Sequence, residues 1–337
     1  MAKELKVNLL PAKTFRYLKV NDTKLDLSGF EFNKPEKRTA SKIKKAFDNV
    51  STGMGKDLDA FVSEYAEKKF VRVTSGKERK IYISNLSQIN QYLFMVETEG
   101  KLTVTIENSG DKDLSGISAK FILAPNSKAK LIAVQTLKRK GTYFLDVGSN
   151  VADNSVFEFV NVVLGGEKNY VGCNASLSGE KSSFVCDTGY ICKEKQSLDI
   201  NYRADQIAKK TQSRINVSGV LGKGGSKTFR GTIDFKVGSS GSVGGETEDV
   251  LTIGDEVINK SVPLILCGEE DVEGQHGATI GSLSDEILYY MNSRGIDKPT
   301  AIRMAAHASV MRTASGIDDK KLVARIEKEI DKTVQSE

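Results

Sequence analysis

The chain has no tryptophan, 5 prolines and 2 histidines among its 337 residues. No apolar run approaches the ~18 residues that a membrane-spanning helix needs, and the start, Met1-Ala-Lys-Glu-Leu-Lys, lacks the apolar stretch of a signal peptide. We therefore expect a cytoplasmic protein with no membrane partner. Because the two histidines are far apart in the sequence, His-based metalloenzymes and Ser-His-Asp or Cys-His catalysis are not expected.

The cysteines also argue against a dedicated metal site. Cys173, Cys186, Cys192 and Cys267 include no C-x2-C pair, which a zinc ribbon or a ferredoxin-type cluster would need. In a cytoplasmic chain they should stay reduced. We interpret them as buried structural thiols.

The positive charge is concentrated at the N-terminus. Residues 1–80 carry 19 Lys+Arg against 11 Asp+Glu, a net charge of +8, whereas the rest carries 30 against 33, a net of −3. Such a segment suits an acidic partner or nucleic acid, but a solvated lysine-rich surface is the favoured interpretation. Because no RNA-binding signature is present, we expect no nucleic-acid partner.

Residues 81–281 show short β-type runs closed by turn residues. In one of them Leu102, Val104 and Ile106 alternate with threonines, as in a strand with one buried face. The chain has 30 glycines but no Asn-Gly or Asp-Gly dipeptide, which weakens a hairpin-based double sandwich. The pattern favours a mainly β fold, a parallel β-solenoid with strands of about three to six residues and coils of about 20–25 residues.

Helical patterns flank this region. Residues 1–80 form a mixed segment with short helices predicted over 40–50 and 58–65. Residues 282–337 predict three helices, with Ser282 or Ser284 as the first N-cap, Asp297 as the second and Gly295 as a C-terminal stop. In the third helix Leu322, Ile326, Ile330 and Val334 form one apolar stripe, which must bury against the chain's own helices or against a partner.

Two motifs carry possible chemistry. Gly219 and Gly224 have P-loop spacing, but position 225 is glycine where lysine is required, so we reject nucleotide binding and predict a turn. His276 lies between glycines at the junction with the helical module. An imidazole there could bind a metal, although from chemistry alone a structural role is favoured. His307, among alanines, is interpreted as a helix-packing or surface residue.

The residues around His276 resemble a known family. Gln275-His-Gly-Ala-Thr-Ile-Gly281 and the following segment 283–296 closely resemble the C-terminal signature of SufB/SufD proteins of the SUF iron–sulfur cluster assembly machinery. The segments 219–221 and 229–233 resemble the family core, and 10–22 resembles the SufD side. The resemblance implies a right-handed parallel β-helix flanked by helices, in a complex with a SufB-type scaffold and a SufC-type ATPase.

Two departures from the SufB pattern point to the SufD-like branch. Glu248 stands where a SufB-type protein has its scaffold cysteine, and Gln275-His276-Gly277 replaces Glu-His-Glu. The resemblance implies a non-enzymatic subunit with no cluster stably bound alone and with transient iron or cluster in the complex. It makes His276 the functional histidine, and Cys267 is the first thiol to test as a metal ligand.

The helical module is the expected ATPase docking surface. We expect a β-helix that stays folded after deletion of 282–337, since neighbouring coils stabilise a solenoid. Two alternatives remain open: a homodimer that mimics the SufB–SufD pair, and a cytoplasmic β-helix enzyme acting on carbohydrate through paired carboxylates. The residues predicted to bind the partner are Tyr289, Tyr290, Met291, Arg294, Arg303, Leu322, Ile326 and Ile330.

Overall fold

The computed structural model describes residues 4–35, 41–84, 86–138 and 140–335. These ranges contain a small hairpin, a long stack of strands and five α-helices. The strands are β1 Glu4–Val7, β2 Thr23–Asp26, β3 Glu67–Val73, β4 Glu78–Ile83, β5 Ile89–Val96, β6 Lys101–Gly110, β7 Leu114–Leu123, β8 Lys128–Leu137, β9 Thr142–Val151, β10 Val156–Val163, β11 Lys168–Leu177, β12 Ser183–Cys192, β13 Ser197–Gln206, β14 Gln212–Leu221, β15 Ser226–Phe235, β16 Ser242–Thr252, β17 Ile258–Cys267 and β18 Val272–Gly281. The helices are α1 Ser41–Asp48, α2 Lys56–Tyr65, α3 Asp285–Ser293, α4 Lys298–Ala314 and α5 Lys320–Gln335.

Strands β3 to β18 form a parallel β-helix. The odd-numbered strands make one eight-stranded parallel sheet, the odd sheet, and the even-numbered strands make the other, the even sheet. The predicted solenoid is confirmed, but the predicted strand length is wrong and most coils are longer than predicted. Most strands have ten residues, and paired residues in one sheet are 23 residues apart in the first coils, as in Glu78 with Lys101, and 26 to 32 apart in the later ones, as in Ser226 with Ile258. The apolar runs in the sequence are shorter than the strands, because polar residues at the ends of each run also form the backbone hydrogen bonds of the sheet.

The space between the two sheets, the lumen, holds the main core. Alternate residues of every strand point into it, and a file of phenylalanines runs along it with ring centroids 4.8–5.9 Å apart. Cys173, Cys186 and Cys192 are buried there, so the prediction of structural thiols is confirmed for these three. Burial raises the pKa of the Cys192 thiol to about 12, which keeps it protonated and unreactive. The phenylalanines are Phe94, Phe121, Phe157 and Phe184.

The N-terminal segment crosses the outer face of the odd sheet. Gly53 lies so close to Gly172 and Cys173 that a Cβ added to it would approach the Cys173 nitrogen to 2.0 Å. Its amide donates to Val147 O at 3.2 Å, and its carbonyl accepts from Asn201 Nδ2 at 2.8 Å. Only glycine allows this approach, so the segment is fixed to the β-helix rather than being a separate domain.

Buried polar groups of the odd sheet hold the same segment. Arg230, 1% exposed, pairs with Asp199 at 2.6 Å and donates to Val20 O at 2.5 Å. Asn8 Nδ2 donates to Asp199 Oδ1 at 2.6 Å. Because buried charges are costly unless paired, these outward-facing residues require the N-terminal segment as their cover. The strand pattern alone does not predict that Arg230 and Asp199 hold the N-terminal segment.

Helices α4 and α5 cover the outer face of the even sheet. Ser284 and Asp297 cap α3 and α4 as predicted, each accepting a backbone N–H three residues on, and Gly295 has φ +83°. The apolar face below the helices consists of Ile132, Val134, Val160, Val162, Ile191 and Val220.

Leu322, Ile326 and Ile330 face the chain's own core. Their exposed fractions are 0%, 1% and 0%, and they belong to the same cluster as the even-sheet valines and isoleucines. Their prediction as partner-binding residues is therefore corrected: the stripe buries against this chain, because one apolar helix stripe matches the apolar outer face of the even sheet. The Val334 side chain lies outside the described part.

Candidate functional site at the open end of the β-helix

The C-terminal end of the β-helix is uncovered among the described residues. β17 and β18 each have a hydrogen-bonded neighbour on one side only, and Ile258 and Ile280 are 53% and 51% exposed. An open strand edge is a template for pairing with another chain. This end is therefore a candidate interface, and it is where His276 lies.

Proline occupies the middle of the β17 edge. The amides of Ile258 and Gly268 donate to Gly225 O and Phe235 O on the β15 side. Since amides alternate sides along a strand, those of the odd positions from 259 to 267 point to the open edge, and Pro263 is one of them. A proline there removes a donor from the free edge and none from the ladder to β15.

His276 stands exposed on this end. It pairs in register with Glu246 of β16 and lies between two glycines with different roles. A Cβ on Gly274 would come within 3.1 Å of the Phe235 ring, whereas one on Gly277 would meet nothing within 4 Å. Gly274 is thus required by the chain's own packing, and Gly277 leaves open space on the face of β18 opposite the imidazole.

One coil below His276, the lumen contains a buried charged cluster that sequence reasoning missed. Lys227 is 0% exposed, Glu246 5% and Glu248 2%. Lys227 forms an ion pair with Glu248, which also accepts a hydrogen bond from Ser261. A Cβ on Gly231 would lie 2.0 Å from Glu246 Oε2, so that glycine makes room for the carboxylate. We name Lys227, Glu246 and Glu248 the lumen cluster.

Burial dominates the electrostatics of the lumen cluster. Desolvation lowers the pKa of Lys227, and the nearby Glu246 opposes this shift. The ion pair with Glu248 also favours the charged ammonium. Desolvation likewise raises the pKa of Glu246 to about 7, opposed by Lys227. Both shifts disfavour the charged form of the group, as expected where water is excluded. The signal available in the sequence was charge at inward strand positions, but it could only be recognised once the register was known.

Glu248 is the residue that replaces a scaffold cysteine in the resemblance to SufB. Glu248 is buried, forms an ion pair with Lys227 and accepts a hydrogen bond from Ser261. Its carboxylate therefore has its partners inside the β-helix. Cys267, by contrast, is exposed at the end of β17, so the interpretation as a buried structural thiol is wrong for this residue. Within the described ranges no three His, Cys, Asp or Glu side chains come together as a metal-ligand group.

The remaining predicted residues form an exposed surface on α3 and the start of α4. Tyr289 and Tyr290 are 78% and 60% exposed. The Arg294 guanidinium lies 5.3 Å from the centre of the Tyr290 ring, Arg303 is held by Thr300 Oγ1 at 2.7 Å, and Met291 is half-buried. Large apolar side chains exposed together mark an interaction site, and we call this set the α3 surface.

A turn and a set of buried carboxyl groups bear on the two alternative chemistries. The turn predicted for Gly219 and Gly224 is confirmed at Gly224, which has φ +67° in the connection from β14 to β15. It is wrong for Gly219, which lies within β14. The carboxyl groups whose pKa is raised by burial are Asp146, Asp199 and Glu246. All three lie in the interior of the described structure, so they do not form a substrate-facing acid–base pair.

Comparison with known proteins decides the family. Residues 80–309 match the SufBD core domain of the SUF system for FeS cluster assembly. The chain belongs to the SufBD family. The match runs from β4 into α4 and thus includes the open end, His276 and the α3 surface. No helix of the described residues is long and apolar enough to cross a membrane.

Individual SufBD relatives are distant. The chain is 26% identical to the iron–sulfur cluster assembly protein SufD of Plasmodium berghei over 76% of this chain and 18% of that protein. It is 24% identical to SufD of Bacillus subtilis over 46% of this chain and 36% of that protein. A SufBD family protein of Mycobacterium leprae is 21% identical over 68% of this chain and 27% of that protein. The chain thus covers between 18 and 36% of the length of these relatives.

Proposed function

We propose that this SufBD chain is a non-catalytic, SufD-like subunit of an iron–sulfur cluster assembly complex. The observation that carries the proposal is the open end of the β-helix, where exposed His276 stands above a lumen cluster that contains Glu248 instead of a free thiol. Glu248 engages Lys227 in an ion pair, so the position supplies no thiolate for a cluster. Iron or the cluster is then a transient cargo, held together with a cysteine of the partner.

The partner at the open end is a second SufBD-family chain of the SufB type. A chain of the same fold presents strand edges of the same spacing, so its last coil can continue both sheets across the joint. His276, which is exposed in the last strand, would then lie at the contact with the partner. Cys267 lies on the same end and is the one exposed cysteine of the chain.

A SufC-type ATPase occupies the α3 surface in this proposal. Tyr289 and Tyr290 supply exposed aromatic anchors, and Arg294 supplies a charged contact beside them. Tyrosine and arginine are the side chains that most often dominate interface energies. The surface belongs to α3 and α4, so ATP-driven movement of the ATPase would be transmitted to the helix that rests on the even sheet.

Replacing His276 with alanine should impair cluster assembly without unfolding the chain. The imidazole is exposed, so its loss leaves no cavity in the core. We expect at least a ~10-fold lower assembly rate in the reconstituted complex, as for loss of one positioned ligand or proton-transfer group. The measurement is anaerobic cluster formation followed by visible absorption, with His307→Ala as the matched control. An assembly rate equal to that of the control would refute the role of His276.

Replacing Tyr289 and Tyr290 with alanine should weaken ATPase binding while His276-dependent chemistry stays intact. Two exposed anchors at ~1–2 kcal/mol each predict a Kd at least ~10-fold higher. Titration calorimetry with the purified ATPase measures this, with Val237→Ser, at an 83% exposed position away from α3, as the control. Unchanged affinity would place the ATPase elsewhere.

A further inference from the structure

The loop between β1 and β2 carries two aromatic rings that project into solvent. We call residues 11–19 the aromatic loop. Its 3₁₀ turn, Arg16–Leu18, contains no buried residue, and Phe15 and Tyr17 are 72% and 74% exposed. Their rings stack on one another with centroids 5.7 Å apart and an interplanar angle of 20°. Most of the surface of both rings is therefore free for a ligand that packs on aromatic groups.

The aromatic loop is held in one conformation. Asn21 Oδ1 accepts from the Thr14 amide at 2.7 Å and from its hydroxyl at 3.1 Å, and Asn21 Nδ2 donates to Thr14 O at 3.0 Å. On the other side of the loop, Lys260 Nζ donates to Leu18 O at 3.4 Å. Because the loop is already ordered, little conformational entropy is lost when it binds a ligand.

The aromatic loop and the two strands of the hairpin line a groove of about 700 Å³, which we call the basic groove. Its five cations are exposed, and Asp22 is the acidic residue of its wall. Lys24 pairs with Glu4 at 2.8 Å, whereas the other four cations form no ion pair with the part of the chain that the structure describes. Unpaired cations that line one groove attract a ligand with repeated negative charge. The cations are Lys6, Lys13, Arg16, Lys19 and Lys24.

Two of these cations lie directly opposite each other in the hairpin. Lys6 of β1 is in register with Lys24 of β2. Like charges at directly opposite positions of a sheet are destabilising, and Glu4 compensates Lys24 alone. A bound anion would relieve this repulsion, so the pair is easier to explain as part of a binding site than as a stabilising feature of the hairpin.

We propose that the basic groove and the aromatic loop bind single-stranded nucleic acid. The cations of the groove would meet the phosphates, and the rings of Phe15 and Tyr17 would stack on bases. In a duplex the bases are stacked on each other, so only a single strand offers them to the rings. Four of the five cations are lysines, whose compact charge suits phosphates spaced along a flexible chain.

This proposal replaces the expectation of no nucleic-acid partner. That expectation rested on the lack of an RNA-binding signature in the sequence. Lys6 and Lys24 are 18 positions apart, and only the antiparallel pairing of β1 with β2 brings them to one groove. The charge pattern of the site therefore depends on the fold of the hairpin and not on a contiguous motif.

An anionic membrane and an acidic peptide are the competing occupants. A bilayer is flat on this scale and suits apolar side chains that insert from a convex surface, whereas the cations here line a concave groove. An acidic peptide would pair with the cations but makes no specific use of two stacked, exposed rings. Nucleic acid uses both features, so we commit to it.

The site is separate from the surfaces assigned to the assembly partners. The N-terminal segment lies on the odd sheet, whereas α4 covers the even sheet, so nucleic acid in the basic groove would not occupy the α3 surface. The inference does not rest on the proposed function, which the His276 assay tests independently.

The test measures the binding of a labelled oligouridylate of about ten nucleotides to the full chain by fluorescence anisotropy. We expect a Kd of about 10 µM or lower at about 50 mM salt. If about four phosphates are neutralised, the logarithm of the binding constant should fall against the logarithm of the salt concentration with a slope of about −3.

Two double variants separate stacking from charge. Phe15→Ala with Tyr17→Ala should raise the Kd at least ~10-fold and leave the salt slope unchanged, because stacking is lost but no phosphate contact. Lys13→Ala with Arg16→Ala should also raise the Kd, and it should make the slope shallower by about 1.4, the value for two lost phosphate contacts. All four side chains are exposed, so these variants should keep the fold, which circular dichroism checks.

Matched controls carry the same changes elsewhere on the surface. Phe70→Ala, at a 39% exposed position on β3, is the control for the rings. Lys101→Ala with Lys128→Ala, at exposed positions on the even sheet, is the control for the cations. Both should leave the Kd and the salt slope of the wild-type chain unchanged.

Three results would overturn the proposal. One is a wild-type chain that does not bind the oligouridylate at about 100 µM. Another is a ring variant that binds as tightly as wild type while a labelled glutamate hexapeptide binds more tightly than the oligouridylate, which would assign the groove to an acidic peptide. The third is sedimentation with phosphatidylserine vesicles that the ring variant loses, without binding of the oligouridylate, which would assign the loop to a membrane.

Discussion

Replacing Lys227 with methionine is expected to lower the free energy of unfolding by about 3–5 kcal/mol near pH 8. Lys227 is fully buried in the lumen beside Glu246 and Glu248, and methionine removes the only cation of that cluster. Two carboxylates then share an apolar space, and at least one must take up a proton to stay there. Urea unfolding followed by circular dichroism measures the loss.

The sign of the pH dependence distinguishes this cause from a simple packing defect. In the variant, the pKa of Glu246, which burial already raises to about 7, is no longer opposed by Lys227, so its folded-state pKa stays well above the ordinary value. The folded state therefore binds more protons than the unfolded state, and stability falls as pH rises from about 4.5 through the raised pKa. We expect a small loss near pH 4.5 and the full loss near pH 8. A loss that does not change with pH would contradict the electrostatic explanation.

The matched variants follow from the same cluster. Lys227→Met combined with Glu246→Gln and Glu248→Gln removes the buried charge altogether and should recover most of the stability, since polar or apolar replacement of a whole buried ion pair is often tolerated. Lys260→Met, on the neighbouring coil at a half-buried position, is the control for the loss of one surface cation. If the triple variant is no more stable than Lys227→Met alone, the charge argument fails.

Deleting residues 282–337 should yield aggregated protein instead of a soluble β-helix. Six aliphatic side chains of the even sheet lie under α4 and α5, and exposing them costs about 1.5 kcal/mol each or more, roughly 10 kcal/mol together. That is comparable to the total stability of a typical domain. This result would reverse the expectation, drawn from solenoid behaviour in general, that the truncated β-helix stays folded.

A single substitution in α5 tests the same apolar face without removing the helices. Ile326→Asp places a charge at a 1% exposed position and should detach α5 at a cost of about 3–5 kcal/mol, whereas Lys328→Asp on the exposed side should cost under ~0.5 kcal/mol. Size-exclusion chromatography and binding of a hydrophobic dye measure the exposed face. A monodisperse, dye-negative truncated chain would show that the helices are dispensable for the β-helix.

Local sequence rules predicted the helix ends but not which partner each apolar face meets. Ser284, Asp297 and Gly295 have roles set by their immediate neighbours, and all three appear where capping rules place them. The stripe of Leu322, Ile326 and Ile330 fixes only that one side of α5 is buried. Whether it meets this chain or another depends on the outer face of a sheet whose apolar residues, the last of them Val220, lie 102 or more positions before Leu322.

The lumen cluster escaped prediction for a related reason. Lys227 and Glu248 are 21 positions apart, and each looks like an ordinary charged residue in a strand. Their meeting depends on local coils of 31 and 32 residues, while the apolar runs suggested shorter ones. His276 was selected by resemblance. The structure adds that it is exposed on an open end, which the residues around it do not reveal.

The path of the N-terminal segment has a mechanical consequence. The segment contacts five successive strands of the odd sheet, from β9 to β17. The contacting residues of these strands are Val147, Cys173, Asn201, Arg230 and Lys260, the last through the carbonyl of Leu18. A bare stack of coils peels apart one rung at a time when its last strand is pulled, because each coil grips only its neighbours. Here the N-terminal segment links five strands of the odd sheet. A force applied by a bound partner at the open end is therefore distributed over five coils at once. The end that receives partners is thereby braced against the load that their movement would place on it.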